Sequence, residues 1–94
     1  MTLSIRKDNT PLKVTGTTSV KQAVIERPVF IKFVYWYKPT TAAHLFVLKD
    51  SKGFEITKGY CETGNWSQYH PIYGRYDGIY CDDLDSGELL IYLG

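Results

Sequence analysis

From Gly78 to Gly94 the chain reads as two β-strands folded about a tight turn, and no other stretch limits the fold as much. Gly78-Ile79-Tyr80-Cys81-Asp82-Asp83-Leu84 and Glu88-Leu89-Leu90-Ile91-Tyr92-Leu93 are the strands, and Asp85-Ser86-Gly87 is the turn. Gly supplies the positive φ that a short reversal needs. The second strand is apolar and closes the sequence, so it has to be covered by its own sheet or by a neighbouring molecule.

Upstream, Val29-Phe30-Ile31-Lys32-Phe33-Val34-Tyr35-Trp36-Tyr37 is β-branched or aromatic at nearly every position, and Pro28 and Pro39 bracket it. Alternation sets Val29, Ile31, Phe33, Tyr35 and Tyr37 on one side, wholly apolar or aromatic and expected to face the core. Phe30, Lys32, Val34, Trp36 and Lys38 take the other, partly covered side. His44 to Leu48 is a further strand, Asp50-Ser51-Lys52-Gly53 a turn, and Phe54 to Thr57 the return, with Phe54 and Ile56 inward. Tyr69, Tyr73, Tyr76 and Tyr80 repeat at helical spacing, but Pro71, Gly74 and Gly78 break that pattern. The expectation over 59–77 is a loop with Trp66 near its tip, then short extended pieces. The whole reads as about seven short strands at roughly 8–12-residue spacing. The expected fold is therefore all-β, a single small antiparallel β-sandwich or jelly-roll-like barrel. Its 94 residues suit one domain, with a Thr- and Lys-rich arm and edge strands over 1–27 and the core over 28–94.

A net charge of +1 hides an asymmetry. Residues 1–58 hold ten Lys/Arg against four acids, a balance of +6, and residues 59–94 hold one against six, a balance of −5. Two readings follow: the two parts neutralise each other within one molecule, or basic and acidic faces meet between neighbouring copies in an oligomer. No stretch reads as a signal peptide or approaches the roughly 18 apolar residues of a membrane span, so no membrane partner is expected. In a reducing cytosol Cys61 and Cys81 are expected to be free thiols.

Composition and spacing show no catalytic or cofactor motif. Cys61, His70 and Cys81 are the candidate zinc ligands, but no two potential Cys or His ligands lie closer than nine positions. The acids Asp82, Asp83, Asp85 and Glu88 miss the EF-hand spacing, and a solvated hairpin tip is the better reading. His44 and His70 sit in no nucleophile motif. Gly74-Arg75-Tyr76-Asp77-Gly78 has two glycines but neither a Lys nor a following helix to cradle phosphate. Lys32, Trp36 and Lys38 suggest a base-stacking face, yet near-zero net charge and an acidic C-terminal third argue against nucleic acid. Carbohydrate binding would need Trp36, Trp66 and Tyr69 exposed.

One resemblance adds to this. Ile31-Lys32-Phe33-Val34-Tyr35-Trp36, then Pro39-Thr40-Thr41-Ala42-Ala43, Leu48-Lys49-Asp50-Ser51-Lys52-Gly53, Gly78-Ile79-Tyr80 and Leu84-Asp85-Ser86-Gly87-Glu88-Leu89-Leu90-Ile91-Tyr92-Leu93 stand in the order of landmarks in short tailed-bacteriophage virion proteins. Over residues 30–94 the chain resembles these small β-sandwich proteins. Ala43 stands where that pattern has Gly, and the loop from Tyr60 to Tyr73 has no counterpart. The resemblance implies a non-catalytic virion component without cofactors, assembled in the host cytoplasm. A capsid decoration (cement) protein is the leading form; a neck, tail or fibre-attachment part is one alternative, and outside the resemblance a glycan- or nucleic-acid-binding β-module is the other. The major capsid protein or other virion proteins would be its partners, alongside its own copies. Trp66, Tyr69, Tyr73 and Tyr76 would be the contact residues, since Tyr and Trp dominate interface energetics.

Overall fold

The computed structural model describes residues 3–6, 12–62 and 66–94. Among them run seven strands: β1 (Leu3–Arg6), β2 (Leu12–Gly16), β3 (Gln22–Tyr37), β4 (Leu45–Lys49), β5 (Glu55–Tyr60), β6 (Gln68–Leu84) and β7 (Glu88–Leu93). They form one open antiparallel sheet in the order β1-β2-β7-β3-β6-β4-β5, with no helix among the described residues. The all-β expectation holds. The strands are not uniformly short, however, because β3 and β6 have 16 and 17 residues and pair from Gln22↔Cys81 to Trp36↔Gln68. Over 59–77, where a loop and then short extended pieces are expected, the chain from Gln68 onward is one continuous strand, the first part of β6. Cross-strand pairing along β3 overrides its Pro and Gly signals.

A straight strand of 17 residues would reach about 56 Å, whereas the longest dimension of the molecule is 33 Å, so β6 has to bend. The bend is visible in the register. While β3 advances from Ile31 to Phe33, β7 passes only from Leu93 to Tyr92 and β6 passes from Gly74 to Pro71. Three adjacent strands thus take one, two and three steps across the same interval, and the sheet fans. A second irregularity lies where β3 fits Glu26 and Arg27 against the single residue Gly78. Gly78 has φ +99 there, and a Cβ on it would stand 3.1 Å from the Ile25 carbonyl oxygen. Pro28 falls at this interruption inside β3 rather than ahead of it, where no regular ladder bond is lost.

The irregularity at Lys32 reverses the expected faces of β3. Val29 and Ile31 are buried as read, but beyond it Val34 and Trp36 are the buried side chains. Phe33, Tyr35 and Tyr37 point outward, because one unpaired residue shifts the alternation by one. Trp36 is fully buried and meets Phe46 edge-on, with ring centroids 4.9 Å apart.

The two C-terminal strands and the turn between them form as read, but they do not pair as a hairpin: β3 lies between β6 and β7, and the turn is locked to the segment after β3. Trp36 Nε1 donates to the Ser86 carbonyl at 2.8 Å. Ser86 Oγ accepts from Thr40 N at 3.0 Å and lies 2.8 Å from His44 Nδ1, and Asp85 Oδ2 accepts from Leu45 N at 3.0 Å. Gly87 has φ +75, and a Cβ on it would come within 2.8 Å of the Tyr37 carbonyl oxygen and 2.9 Å of Trp36 Nε1. The turn requires Gly twice over, for backbone conformation and for room. In the 50–53 turn, Asp50 Oδ1 accepts from Lys52 N and Phe54 N at 3.0 and 2.9 Å. Phe54 itself is 67% exposed, contrary to the inward reading, while Ile56 packs against the core.

The division at residue 27 falls inside β3. Leu12 and Val14 of the expected arm are core residues, and β2 pairs with β7 through Leu12↔Ile91 and Val14↔Leu89. Residues 1, 2 and 7–11 of that arm lie outside the described residues. Two ion pairs join the basic and acidic parts of the sequence, Lys13–Glu88 at 3.2 Å and Lys49–Asp82 at 3.3 Å. Both are partly exposed and each contributes about 0–1 kcal/mol. Cys61 and Cys81 are free thiols, both buried.

Two substitutions test this packing. Trp36→Ala removes the largest buried side chain together with the donor to Ser86, and should cost about 3–5 kcal/mol in urea unfolding. Ala43 holds φ +74, a left-handed conformation that costs a non-Gly residue roughly 1–2 kcal/mol. Ala43→Gly relieves that strain and returns about 0.4–1 kcal/mol through the freer unfolded chain. The expected outcome is a gain of up to about 1 kcal/mol, seen as a raised unfolding midpoint.

Candidate functional site

The reversal along β3 builds an aromatic surface on the outside of the sheet. Directly opposed residues in a ladder share a face. Phe33 opposes Pro71 and Tyr92, Tyr35 opposes Tyr69 and Leu90, and Tyr37 opposes Glu88. The rings touch one another. Phe33 and Tyr92 stack with centroids 4.3 Å apart, and Phe33 and Tyr69 lie 5.0 Å apart at a tilt. The hydroxyls of Tyr69 and Tyr73 are 3.5 Å apart, and this contact raises the Tyr69 pKa above its usual value.

Among the residues singled out from sequence, Trp66, Tyr69 and Tyr73 are 71%, 52% and 61% exposed. Tyr76 is separated from them. It occupies the inner face, opposite Val29, and packs against the hydrophobic core. Tyr69 and Tyr73 lie on the outer face of β6, and Trp66 stands just before that strand. Trp66 borders an open cleft of about 280 Å³ with Tyr60, Glu62, Ser67 and Gln68. The Gln68 side chain is already engaged, donating to the Tyr60 carbonyl at 2.7 Å and lying 3.0 Å from His70 Nε2.

The sequence alternation sets Phe33, Tyr35 and Tyr37 toward the core and Trp36 on the partly covered side. Both assignments reverse. A base-stacking face built on Trp36, or a sugar site that uses it, is ruled out by its complete burial. The usable signal was the Tyr hydroxyl. Tyr35 and Tyr37 carry a polar tip that belongs at a wet boundary, while Val34 does not.

The other candidate groups are spoken for. No group of three His, Cys, Asp or Glu among the described residues could hold a metal ion. Burial pushes the Cys81 thiol up to about 12, so it remains protonated and a poor nucleophile at neutral pH. His70 is shifted below its usual value by burial and lies 5.1 Å from the Phe46 ring. In the acidic run, Asp82 pairs with Lys49, Glu88 with Lys13, and Asp85 takes the Leu45 amide.

Asp83 differs. Its Oδ1 is buried without a partner. Burial first, then a hydrogen bond with the Asp85 carboxyl and the charges of Asp85 and Asp82, push it from 3.8 to about 6. A carboxyl that holds its proton more tightly folded than unfolded adds stability that is complete below its unfolded pKa. That stability is lost as the pH rises toward the folded value. The difference in unfolding free energy between the native chain and Asp83→Asn should therefore change between the usual carboxyl pKa and about 6. Above that window the Asn variant should be the more stable. Denaturant titrations across the window at fixed salt read this directly, and a constant difference would remove Asp83 as the cause.

Comparison with known protein families, with curated proteins and with solved structures finds no match for this chain.

Proposed function

We propose that this chain is a non-catalytic structural protein of a tailed-phage particle, a capsid decoration protein that adds contact area across joints between shell subunits. The observation that carries the proposal is the outward display of Trp66, Tyr69 and Tyr73 on a sheet whose core is already closed by Trp36, Phe46, Leu48 and Ile79. Large aromatics exposed on a rigid framework cost solubility and lose little entropy on docking, as expected of an interface. The resemblance supplies the phage context. Its landmarks fall on β3 and the segment after it, on β4 with its following turn, and on β6, β7 and the turn between them. Its Gly position is occupied by Ala43, which holds a glycine-like φ of +74. On this reading the bent sheet serves as the sandwich-like, jelly-roll-like body of the virion component, with the major capsid protein and further copies of the chain as partners.

Quantitative mass spectrometry of purified particles tests it. A copy number comparable to that of the shell protein is the expected result. A few copies per particle would move the chain to the neck, tail or fibre attachment, and absence from particles would end the virion reading. Trp66→Ala should weaken attachment to shells while shifting the stability of the isolated chain by less than about 0.5 kcal/mol, because the ring is exposed.

A further inference from the structure

The outer aromatic face has a cationic border. Lys32 is exposed at the irregularity beside Phe33, and Arg75 is exposed two positions from Tyr73. The Lys38 ammonium lies 5.3 Å from the Tyr37 ring centre. At the end of the face, Arg27 and Arg75 line an open cleft of about 460 Å³ with Phe30 and Leu93. Of the acids near this face, Glu88 pairs with Lys13, while Asp77, which accepts from the Ser51 hydroxyl at 3.1 Å, and Glu26 are exposed and keep their charge. No ion pair among the described residues engages Lys32, Lys38, Arg27 or Arg75. The overall charge of +1 thus averages an acidic part, around Asp82, Asp83 and Asp85, with a face where the four unpaired cations outnumber the exposed Glu26 and Asp77.

We propose that this face binds single-stranded nucleic acid, with bases stacking on Tyr69 and Tyr73 and phosphates meeting Lys32, Lys38, Arg75 and Arg27. Rings on an open sheet flanked by cations are the combination that unpaired bases and a phosphate backbone need together. Duplex DNA hides its bases and would use only the cations. A second copy packed face to face about a two-fold axis would set these cations against themselves. The proposal uses Tyr69 and Tyr73, which the shell reading also uses, so it concerns the chain off the shell, and binding by the isolated chain is read separately from its copy number in a particle.

The test is fluorescence anisotropy of a labelled oligothymidylate of about fifteen nucleotides, titrated with the purified chain at low and moderate salt. Saturable binding is expected, with log K falling against log salt at a slope of about −2 to −3 for three or four phosphate contacts. Tyr69→Ala should weaken binding roughly 5- to 100-fold, while Tyr69→Phe, which keeps the ring, should not. Lys32→Glu and Arg75→Glu should each weaken it and make the salt slope shallower by about one or more. Lys58→Glu makes the same charge change on β5, away from this face, and should have little effect. Circular dichroism of every variant confirms that it is folded. Absence of saturable binding overturns the proposal, and so does an equal loss from Lys58→Glu. Competition by polyglutamate as effective as by unlabelled oligonucleotide also overturns it, and would assign the face to an acidic protein surface.

Discussion

The hydrogen bond from Trp36 Nε1 to the Ser86 carbonyl is the contact on which the arrangement turns. It joins the end of the central strand β3 to the turn between β6 and β7, at a buried site. Around it, the Ser86 hydroxyl and the Asp85 carboxylate take backbone amides of the segment leading from β3 to β4. A buried donor left without its acceptor costs about 1–3 kcal/mol, so the indole, the turn and the crossover hold each other in place. The need for Gly at position 87 follows from the same crowding.

The second constraint is the unequal path length of β7, β3 and β6 around Lys32. It lets a long strand fit a small molecule, and it also decides which aromatics are core and which are surface. On one side of Lys32 the buried set is Val29 and Ile31, and on the other it is Val34 and Trp36. A regular strand would have hidden Phe33, Tyr35 and Tyr37 and exposed the indole. The surface available for binding therefore results from an irregularity in hydrogen bonding rather than from composition.

Local chemistry in the sequence was enough for the β4–β5 hairpin, since Asp50 and Gly53 act on neighbours a few residues away. It was not enough for the C-terminal strands, whose turn residues Ser86 and Gly87 meet Trp36, Tyr37, Thr40 and His44 across the inserted β3. The all-β class was legible too, because no breaker-free helical stripe exists. Residues 68–77 were not legible as strand, because Pro71 and Gly74 discourage regular structure locally while their partners Phe33 and Ile31 stabilise it from afar. The faces of β3 were ambiguous for a related reason. Both alternating sets contain large apolar residues, and only the partner strands determine where the count slips. Phe54 shows that an apolar residue beside a turn can remain in solvent when the turn places it past the end of the ladder. Trp36 and Trp66 are the same residue type, and their opposite fates depend on long-range pairing that neither neighbourhood encodes.

The position of β7 has a consequence for how the molecule comes into being. This strand follows β3 and β6 in the chain yet lies between β2 and β3, so the β1–β2 pair has no place in the sheet until β7 emerges. At ordinary translation rates of ~5–20 residues per second, Leu12 waits on the order of ten seconds for Ile91. During that interval the aromatic run of β3 is a sticky, half-paired segment on the ribosome. Folding is therefore dominated by distant contacts, a slow route for so small a sheet.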